Sequence, residues 1–399
     1  MWFIFVAVGL VLVTVSGLYT RRRLAAALRH FGVRERPIRI MRWAVAWLLF
    51  GYPLLIVILI LITLAIGRST LPRFDGTLGS WLLGYPFAWA VLVVLQSLIW
   101  LVVLDGVHWL VRRRRGVATA ARVRAIGVVA VLGAFAIYTP VRILVERDDL
   151  RVRHHQVGTA SSGTPFRIAF IADVQQDDHT DAKRALEVYA LVTAAQPDVV
   201  LSGGDWINTG PDHIAETAAT AAALRSRLGT FSVRGDHEHF AYLDRNRSVV
   251  EVEAAMRQHG IAMLNNEVRW FEHAGKRIAV VFVNYNYVFR TDSATIAKLV
   301  DSVAAADYSI VVTHQLDRAL AAQLENRVDL VLGAHTHGGQ INPVVGLTHV
   351  KLARLETPLI DGRYQLGSTT VIVTSGVGYS LIPIRYAAPG SIELIELRL

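Results

Sequence analysis

Five apolar runs in the second half of this 399-residue chain each stop at residues that can bind a metal ion. "RIAFIAD" ends at Asp173 and "DVVLSGGD" at Asp205, "TFSVRGDHE" reaches Asp236 and His237, "YSIVVTH" ends at His314, and "VDLVLGAHTH" carries His335 and His337. In α/β sheets ligands gather beyond the carboxyl ends of the strands, so side chains far apart in sequence can converge there. Three carboxylates brought together repel one another unless cations neutralise them. Asp and His suit divalent ions such as Mn, Fe or Zn. Two such ions, roughly 3.5–4 Å apart, can clamp the attacking and leaving oxygens of a phosphoryl displacement and acidify a bound water. Residues i and i+2 of an extended segment share a side, so His335 and His337 are expected to face different ions, while Gly338 and Gly339 let the backbone turn away.

The elements that must position these groups follow from a composition shift. From Phe166 to Leu399 short β-type runs alternate with helical segments, the pattern of an α/β domain. Before it, "ERDDLRVRHHQVGTASSGTP" is polar and reads as a linker over residues 150–165, with His154 and His155 exposed. The first 149 residues are of another kind. Hydrophobic residues make up 53% of the chain, and four stretches, about 2–18, 43–66, 81–104 and 125–144, approach the roughly 20 apolar residues that cross a bilayer as a helix. The first lacks the basic start and small-residue cleavage site of a signal peptide and is expected to be a retained span.

Arginines collect between spans one and two (Arg21 to Arg42) and between spans three and four (Arg112 to Arg124), 14 in all against Glu35 alone. Short cytoplasmic loops collect such charge, so the N-terminus and everything after the fourth span are expected outside the cytoplasm. Because these loops hold more positive charge than the whole-chain net of +9, the remainder is acidic, and nucleic acid is not an expected partner. Zero cysteines exclude disulfides, thiolate metal sites and cysteine nucleophiles. A transporter would place paired charges or broken helices inside the spans, which offer little beyond Gln96.

Taken in order, "DVQ" (Asp173 to Gln175), "GDWIN" (Gly204 to Asn208), "GDHE" (Gly235 to Glu238), His314 in "VVTHQ" and "GAHTHGGQ" resemble the calcineurin-like metallophosphoesterases, in particular their bacterial membrane-anchored branch. The closing "TSGVGYSLIPIRYAAPGSIELIEL" is similar to that branch as well. The resemblance covers residues 166–399 and implies a four-layer α/β/β/α sandwich behind the four-helix transmembrane region. It also implies two metals: the first held by Asp173 and His337, with Gln175 where the family usually has histidine, the second by Asp236, His314 and His335, and Asp205 bridging. His237 would contact the phosphate and give the leaving group its proton. Asp236 stands where the family usually has asparagine, and with Gln175 it favours a harder first ion, Mn or Mg.

Asn208 is expected to orient a phosphate oxygen or a ligand. Glu238 and His239 either line the substrate cleft or are solvated, and His179 is a weaker substitute for the missing histidine. Arg385 pairs with a carboxylate or an anionic substrate, and Asp105 and His108 lie at the membrane interface. The expected protein is a multi-pass cell-membrane phosphoesterase with an extracytoplasmic catalytic domain. Its partners are the lipid bilayer and a phosphate mono- or diester, lipid-linked because the site is anchored beside the membrane. The alternative is a metal-binding sensor of the same fold with weakened turnover, motivated by Gln175.

Overall fold

The computed structural model describes residues 2–70, 76–160, 163–380 and 382–399, without the side chains of residues 2–7 and 77. It divides into two compact units, one formed by residues 1–65, 77–146 and 342–350, the other by 66–76, 147–341 and 351–399.

The first unit is built from long helices: α1 (Trp2–His30), α2 (Glu35–Ala65), a single turn α3 (Thr77–Gly79) running through a π-helical stretch Ser80–Gly84 into α4 (Tyr85–Arg115), and α5 (Val117–Glu146). Among the described residues, Glu35–Ala65, Ser80–Arg115 and Val117–Glu146 are long and apolar enough to cross a membrane. They contain the expected stretches 43–66, 81–104 and 125–144 to within a residue, and continue past them because arginine is a good helix former and the arginine runs stay helical. The expected first span lies in α1, and its first residues fall outside the described side chains. Trp43, Trp47, Leu61, Ile137 and Leu144 turn outward, so these helices leave large apolar faces exposed. Inside, α4 and α5 approach closely at Gly127, where a Cβ would come within 2.5 Å of Leu104 Cδ2. Asp105 accepts from Arg23 and from Tyr19 Oη, and His108 Nδ1 donates to the Ala120 carbonyl.

The second unit holds two six-stranded mixed sheets. The first has the order β1 (Leu150–Gly158), β14 (Gly390–Arg398), β2 (Phe166–Ile171), β3 (Val199–Ser202), β4 (Thr230–Ser232), β5 (Ile261–Met263). The second runs β12 (Gly362–Leu366), β13 (Thr369–Val373), β9 (Leu330–Gly333), β8 (Tyr308–Thr313), β7 (Lys276–Val283), β6 (Glu267–His273). Strands β2 to β5 pair in parallel in the first sheet, and β7, β8, β9 and β13 in the second. Covered on both faces, β3, β7, β8, β9 and β13 run largely in Val, Ile and Leu rather than alternating. One apolar cluster fills the space between the sheets, with Ile168, Phe170 and Leu201 meeting Val280, Phe282 and Val312. A second packs the outer face of the first sheet against α6 (Ala182–Ala194), α7 (Ile214–Ala221) and α8 (Arg245–Gln258). A third packs the other sheet against α9 (Ser293–Asp301) and α10 (Arg318–Leu324). Asp181, Asp244, Asp292 and Asp317 cap α6, α8, α9 and α10, accepting the backbone N–H groups that a helix start leaves unpaired.

Two local readings change. Residues 150–158 of the expected linker are strand β1, parallel to β14 in register from Leu150–Gly390 to Gly158–Arg398. On this edge strand Arg and His occupy positions that an inner strand fills with apolar residues, which masks its period. His155 is correspondingly not exposed: its Nε2 lies 2.6 Å from buried Glu393. Arg385 meets neither a carboxylate nor solvent. Fully buried, it donates to the carbonyls of Ser375, Gly376, Gly378, Ala388 and His337 at 2.8–3.3 Å, tying the closing segment to the loop that carries His337. Arg385→Ala is therefore expected to destabilise the protein by about 3 kcal/mol or more, since several buried carbonyls lose their donor together. A thermal unfolding midpoint within a degree or two of wild type would contradict this reading of Arg385.

Candidate metal centre

Five of the seven expected ligands sit just past the carboxyl end of a parallel strand: Asp173 after β2, Asp205 after β3, Asp236 after β4, His314 after β8 and His335 after β9, with Gln175 and His337 two residues beyond Asp173 and His335. Two groups form with ligand atoms within 4.8 Å of one another, Asp236 with His314 and His335, and Asp173 with Asp205 and His314. His314 belongs to both by distance, but its hydrogen bonding separates them. Nδ1 lies 2.8 Å from the Gly203 carbonyl, which can only accept, so Nδ1 carries the proton and Nε2 is left as the ligand atom. Nε2 is 3.2 Å from Asp236 Oδ2, 3.5 Å from Asp205 Oδ2 and 3.2 Å from His335 Nδ1.

His335 is oriented in the same way. Its Nδ1 is 2.9 Å from Asp236 Oδ2, and its Nε2 is 3.2 Å from Glu356 Oε1. Glu356 also accepts from Gln315 Nε2 at 2.6 Å, and the Tyr287 ring stands edge-on to His335 with centroids 4.8 Å apart. The Tyr287 N–H fixes Asp236 by donating to Oδ1 at 2.6 Å. A carboxylate behind a ligand imidazole fixes its tautomer and raises its basicity. Neither Glu356 nor Tyr287 is visible in sequence as part of the site, since each lies some twenty residues or more from any ligand with which it shares the cluster, in a loop without periodicity.

The remaining expected ligands bear directly on whether a first ion fits. Asp173 Oδ1, Gln175 Oε1 and His337 Nδ1 are buried and meet no hydrogen-bond partner. Three orphaned acceptors among residues of one expected ligand set are what a cation would satisfy. Gln175 is otherwise engaged through Nε2, which donates to Asp205 Oδ2 at 3.2 Å, so its carbonyl oxygen is the atom left for a metal. Burial and then Arg385 hold the His337 ring well below the usual imidazole range, keeping its lone pair available. Burial opposes charge on His314, but Asp205, Asp236 and Asp173 outweigh it and carry that imidazole up to about 10. The donor set thus holds an excess of negative charge that calls for cations.

Asp173, Gln175, Asp205, His335 and His337 all have positive φ, between 45° and 73°. A left-handed backbone is uncommon for residues other than glycine and accumulates at functional sites. The segment from His335 to His337 is therefore not extended, and the expected i, i+2 arrangement is corrected: His335 and His337 are both left-handed, Thr336 between them is right-handed, and His337 opens a 3-10 turn, His337–Gly339. Glycines make room around the acids. A Cβ on Gly235 would come within 2.1 Å of Asp205 Oδ1, and one on Gly376 within 2.5 Å of Asp173 Cβ.

His237 lies beside this cluster on a second 3-10 turn, His237–His239. Its N–H donates to Asp205 Oδ1 at 2.8 Å, and its Nδ1 donates to the Asn208 carbonyl at 2.5 Å. Nε2 is left facing Asp205 Oδ2 at 4.0 Å. The Asn208 side chain is held elsewhere, donating to buried Asp177 at 2.6 Å. Glu238 neither lines a cleft nor meets solvent: it is fully buried and accepts the backbone N–H groups of Asp205, Trp206 and Gly235 at 2.6–3.0 Å. His239 is buried too, and burial followed by Arg234 pushes its ring down to about 4. His179 is in neither ligand group; its N–H donates to Asp177 Oδ1.

Residues 166–339 match the family model described as calcineurin-like phosphoesterase. The α/β domain belongs to the calcineurin-like metallophosphoesterase family. The chain is 26% identical over 273 residues to an uncharacterised metallophosphoesterase of Campylobacter jejuni, covering 67% of this chain and 68% of that one. It is 30% identical over 208 residues to one of Helicobacter pylori, covering 52% of each. A transmembrane protein with metallophosphoesterase domain from Bos taurus is 26% identical over 249 residues, or 58% of this chain and 53% of that protein. The chain thus spans about half the length of the last two.

Glu356→Gln retains the shape of the group behind His335 but removes its charge, and is expected to weaken metal binding by about tenfold to a hundredfold. Titration of the metal-stripped protein with Mn or Zn measures this. Affinity equal to wild type would remove Glu356 from the centre.

Proposed function

We propose that this protein is a membrane-anchored phosphoesterase in which two divalent ions work between the carboxyl ends of the two sheets of a four-layer sandwich. The observation that carries the proposal is the meeting of two ligand groups around His314, with three orphaned ligand atoms beside them. Asp173, Gln175, Asp205 and His337 would hold one ion, and Asp205, Asp236, His314 and His335 the other. When bound, such a pair supplies an acidified water and neutralises charge on the phosphoryl oxygens.

The chain's own residues then have separable tasks. Asp205 is fixed from both sides, by the His237 N–H and by Gln175, which suits a carboxylate shared between two ions. The Asn208 carbonyl keeps the His237 proton on Nδ1, so Nε2 must gain a second proton before it can donate to a phosphate oxygen or a departing alkoxide. His239, with one ring nitrogen free of hydrogen bonds, is proposed to meet substrate beside it, while Asn208 acts through His237.

The three apolar helices, with Trp2–Leu18 as a fourth span, favour a lipid-linked phosphoester as substrate. The arginine-rich loops favour a catalytic domain outside the cytoplasm. A second reading, a metal-binding sensor with little turnover, is favoured by Gln175 alone, because an amide oxygen is a weaker ligand than imidazole.

The deciding experiment is hydrolysis of a chromogenic phosphodiester by detergent-purified protein, stripped of metal and resupplied with Mn, Zn, Fe or Mg. Activity is expected to vanish on stripping, return with metal, and fall by about 10²–10⁴ in His237→Ala. Metal binding without turnover under every condition would favour the sensor. Orientation is read separately: in this cysteine-free chain, Glu325→Cys should react with an impermeant maleimide on intact cells. Reaction only after lysis would invert the topology.

A further inference from the structure

Residues 342–350 follow the metal loop directly, yet they belong to the unit formed by the long apolar helices. They form a small hairpin, β10 (Val344–Val345) and β11 (Thr348–His349), paired Val344 to His349 and Val345 to Thr348. Gly346 takes a positive φ at the turn, as a two-residue hairpin requires. Four of the nine residues in "NPVVGLTHV" are Val or Leu. Leu347 at the tip is 89% exposed and Val345 40%.

The partner of this hairpin is α4. The Val344 N–H donates to Gln96 Oε1 at 3.2 Å, and Gln96 Nε2 donates to Thr139 Oγ1 of α5 at 3.0 Å. Gln96 and Thr139 are fully buried. Gln96 lies within the apolar stretch 81–104 and Thr139 within 125–144, seven residues or about 10 Å from the end of α5 at Glu146, so the pair is inside the apolar part of both helices. A glutamine there is costly unless a partner meets it. Non-helical backbone at membrane depth is tolerated only where protein satisfies its polar groups. Each need answers the other: Gln96 takes up a backbone N–H of the hairpin, and the hairpin gives Gln96 a reason to sit in a span. The Gly346 turn comes close to Ile99, 3.9 Å from where its Cβ would be. Ile99, Val102 and Val103 of α4 are themselves outward-facing. The apolar tip thus continues an apolar helix face.

We propose that residues 342–350 are a re-entrant hairpin anchored in the bilayer by Gln96, and that its Val345–Leu347 tip seats the hydrocarbon chain of the lipid phosphoester. This rests on the lipid-linked reading above and adds the element that recognises the chain. Asn342 follows His337 by five residues, so the hairpin is the segment of chain that leaves the metal loop.

The absence of native cysteine makes the test clean. Leu347→Cys, carrying an environment-sensitive fluorophore in the full chain reconstituted into vesicles, should be quenched by nitroxide placed on lipid acyl chains. The same label on Glu325→Cys should not be quenched. Gln96→Leu should reduce quenching at Leu347→Cys. In parallel, Leu347→Asp should raise KM for a vesicle-borne lipid phosphodiester by about tenfold to a hundredfold, as expected for losing a buried leucine contact, and leave hydrolysis of the soluble chromogenic ester unchanged. A Leu347→Cys label as unquenched as that on Glu325→Cys overturns the insertion. Quenching with both esters equally affected, or neither, overturns the seating of the chain. A wild-type protein that inserts the hairpin and cleaves only the soluble ester defeats the lipid-linked reading itself, a failure distinct from that of the hairpin.

Discussion

Three carboxylates, Asp173, Asp205 and Asp236, are held almost out of water at the strand ends, between 0% and 4% exposed. Uncompensated, such a group of charges would drive the loops apart. The surrounding chain is arranged to hold them together. His314 and His335 stand between them, the N–H groups of Tyr287, His237 and His335 point at them, and Glu238 gathers the N–H groups of the two loops that carry Asp205 and Asp236. With the carboxylates fixed this way, the charge that remains uncompensated is what bound cations would neutralise.

The two-sheet architecture matters because it brings five strand ends to one place without flexible loops. Strands buried on both faces give rigid starting points. The turns that follow are strained at the ligand positions and relieved at the neighbouring glycines. Gly235 and Gly376 let backbone approach carboxylate where any side chain would collide. Arg385, behind them, converts five carbonyls into a single tie that holds the last segment against the metal loop.

Much of the fold and of the ligand set can be read from sequence because both depend on local signals. An apolar run that ends in Asp or His marks a buried strand and a candidate ligand at once, and continuous stretches such as Trp43–Ile66 admit few readings other than a long apolar helix. Three things could not be read there. β1 hides because an edge strand tolerates Arg151, Arg153 and His154 where an inner strand would not. The left-handed backbone at His335 and His337 depends on tertiary packing, so assuming an extended segment there gave the wrong local geometry. Glu356 and the Val344–His349 hairpin act through partners distant in sequence, and Gln96, noted only as an isolated polar residue in a span, has meaning only once its partner is seen.

The central claim is a centre for two ions that share Asp205. Metal content of the purified protein after dialysis against excess Mn or Zn and removal of free ion tests it most directly, with Asp205→Asn alongside. The account predicts about two ions per chain in the wild type and a clear loss in Asp205→Asn, because a shared carboxylate serves both. A wild-type protein that takes up one ion, unaffected by Asp205→Asn, would contradict it.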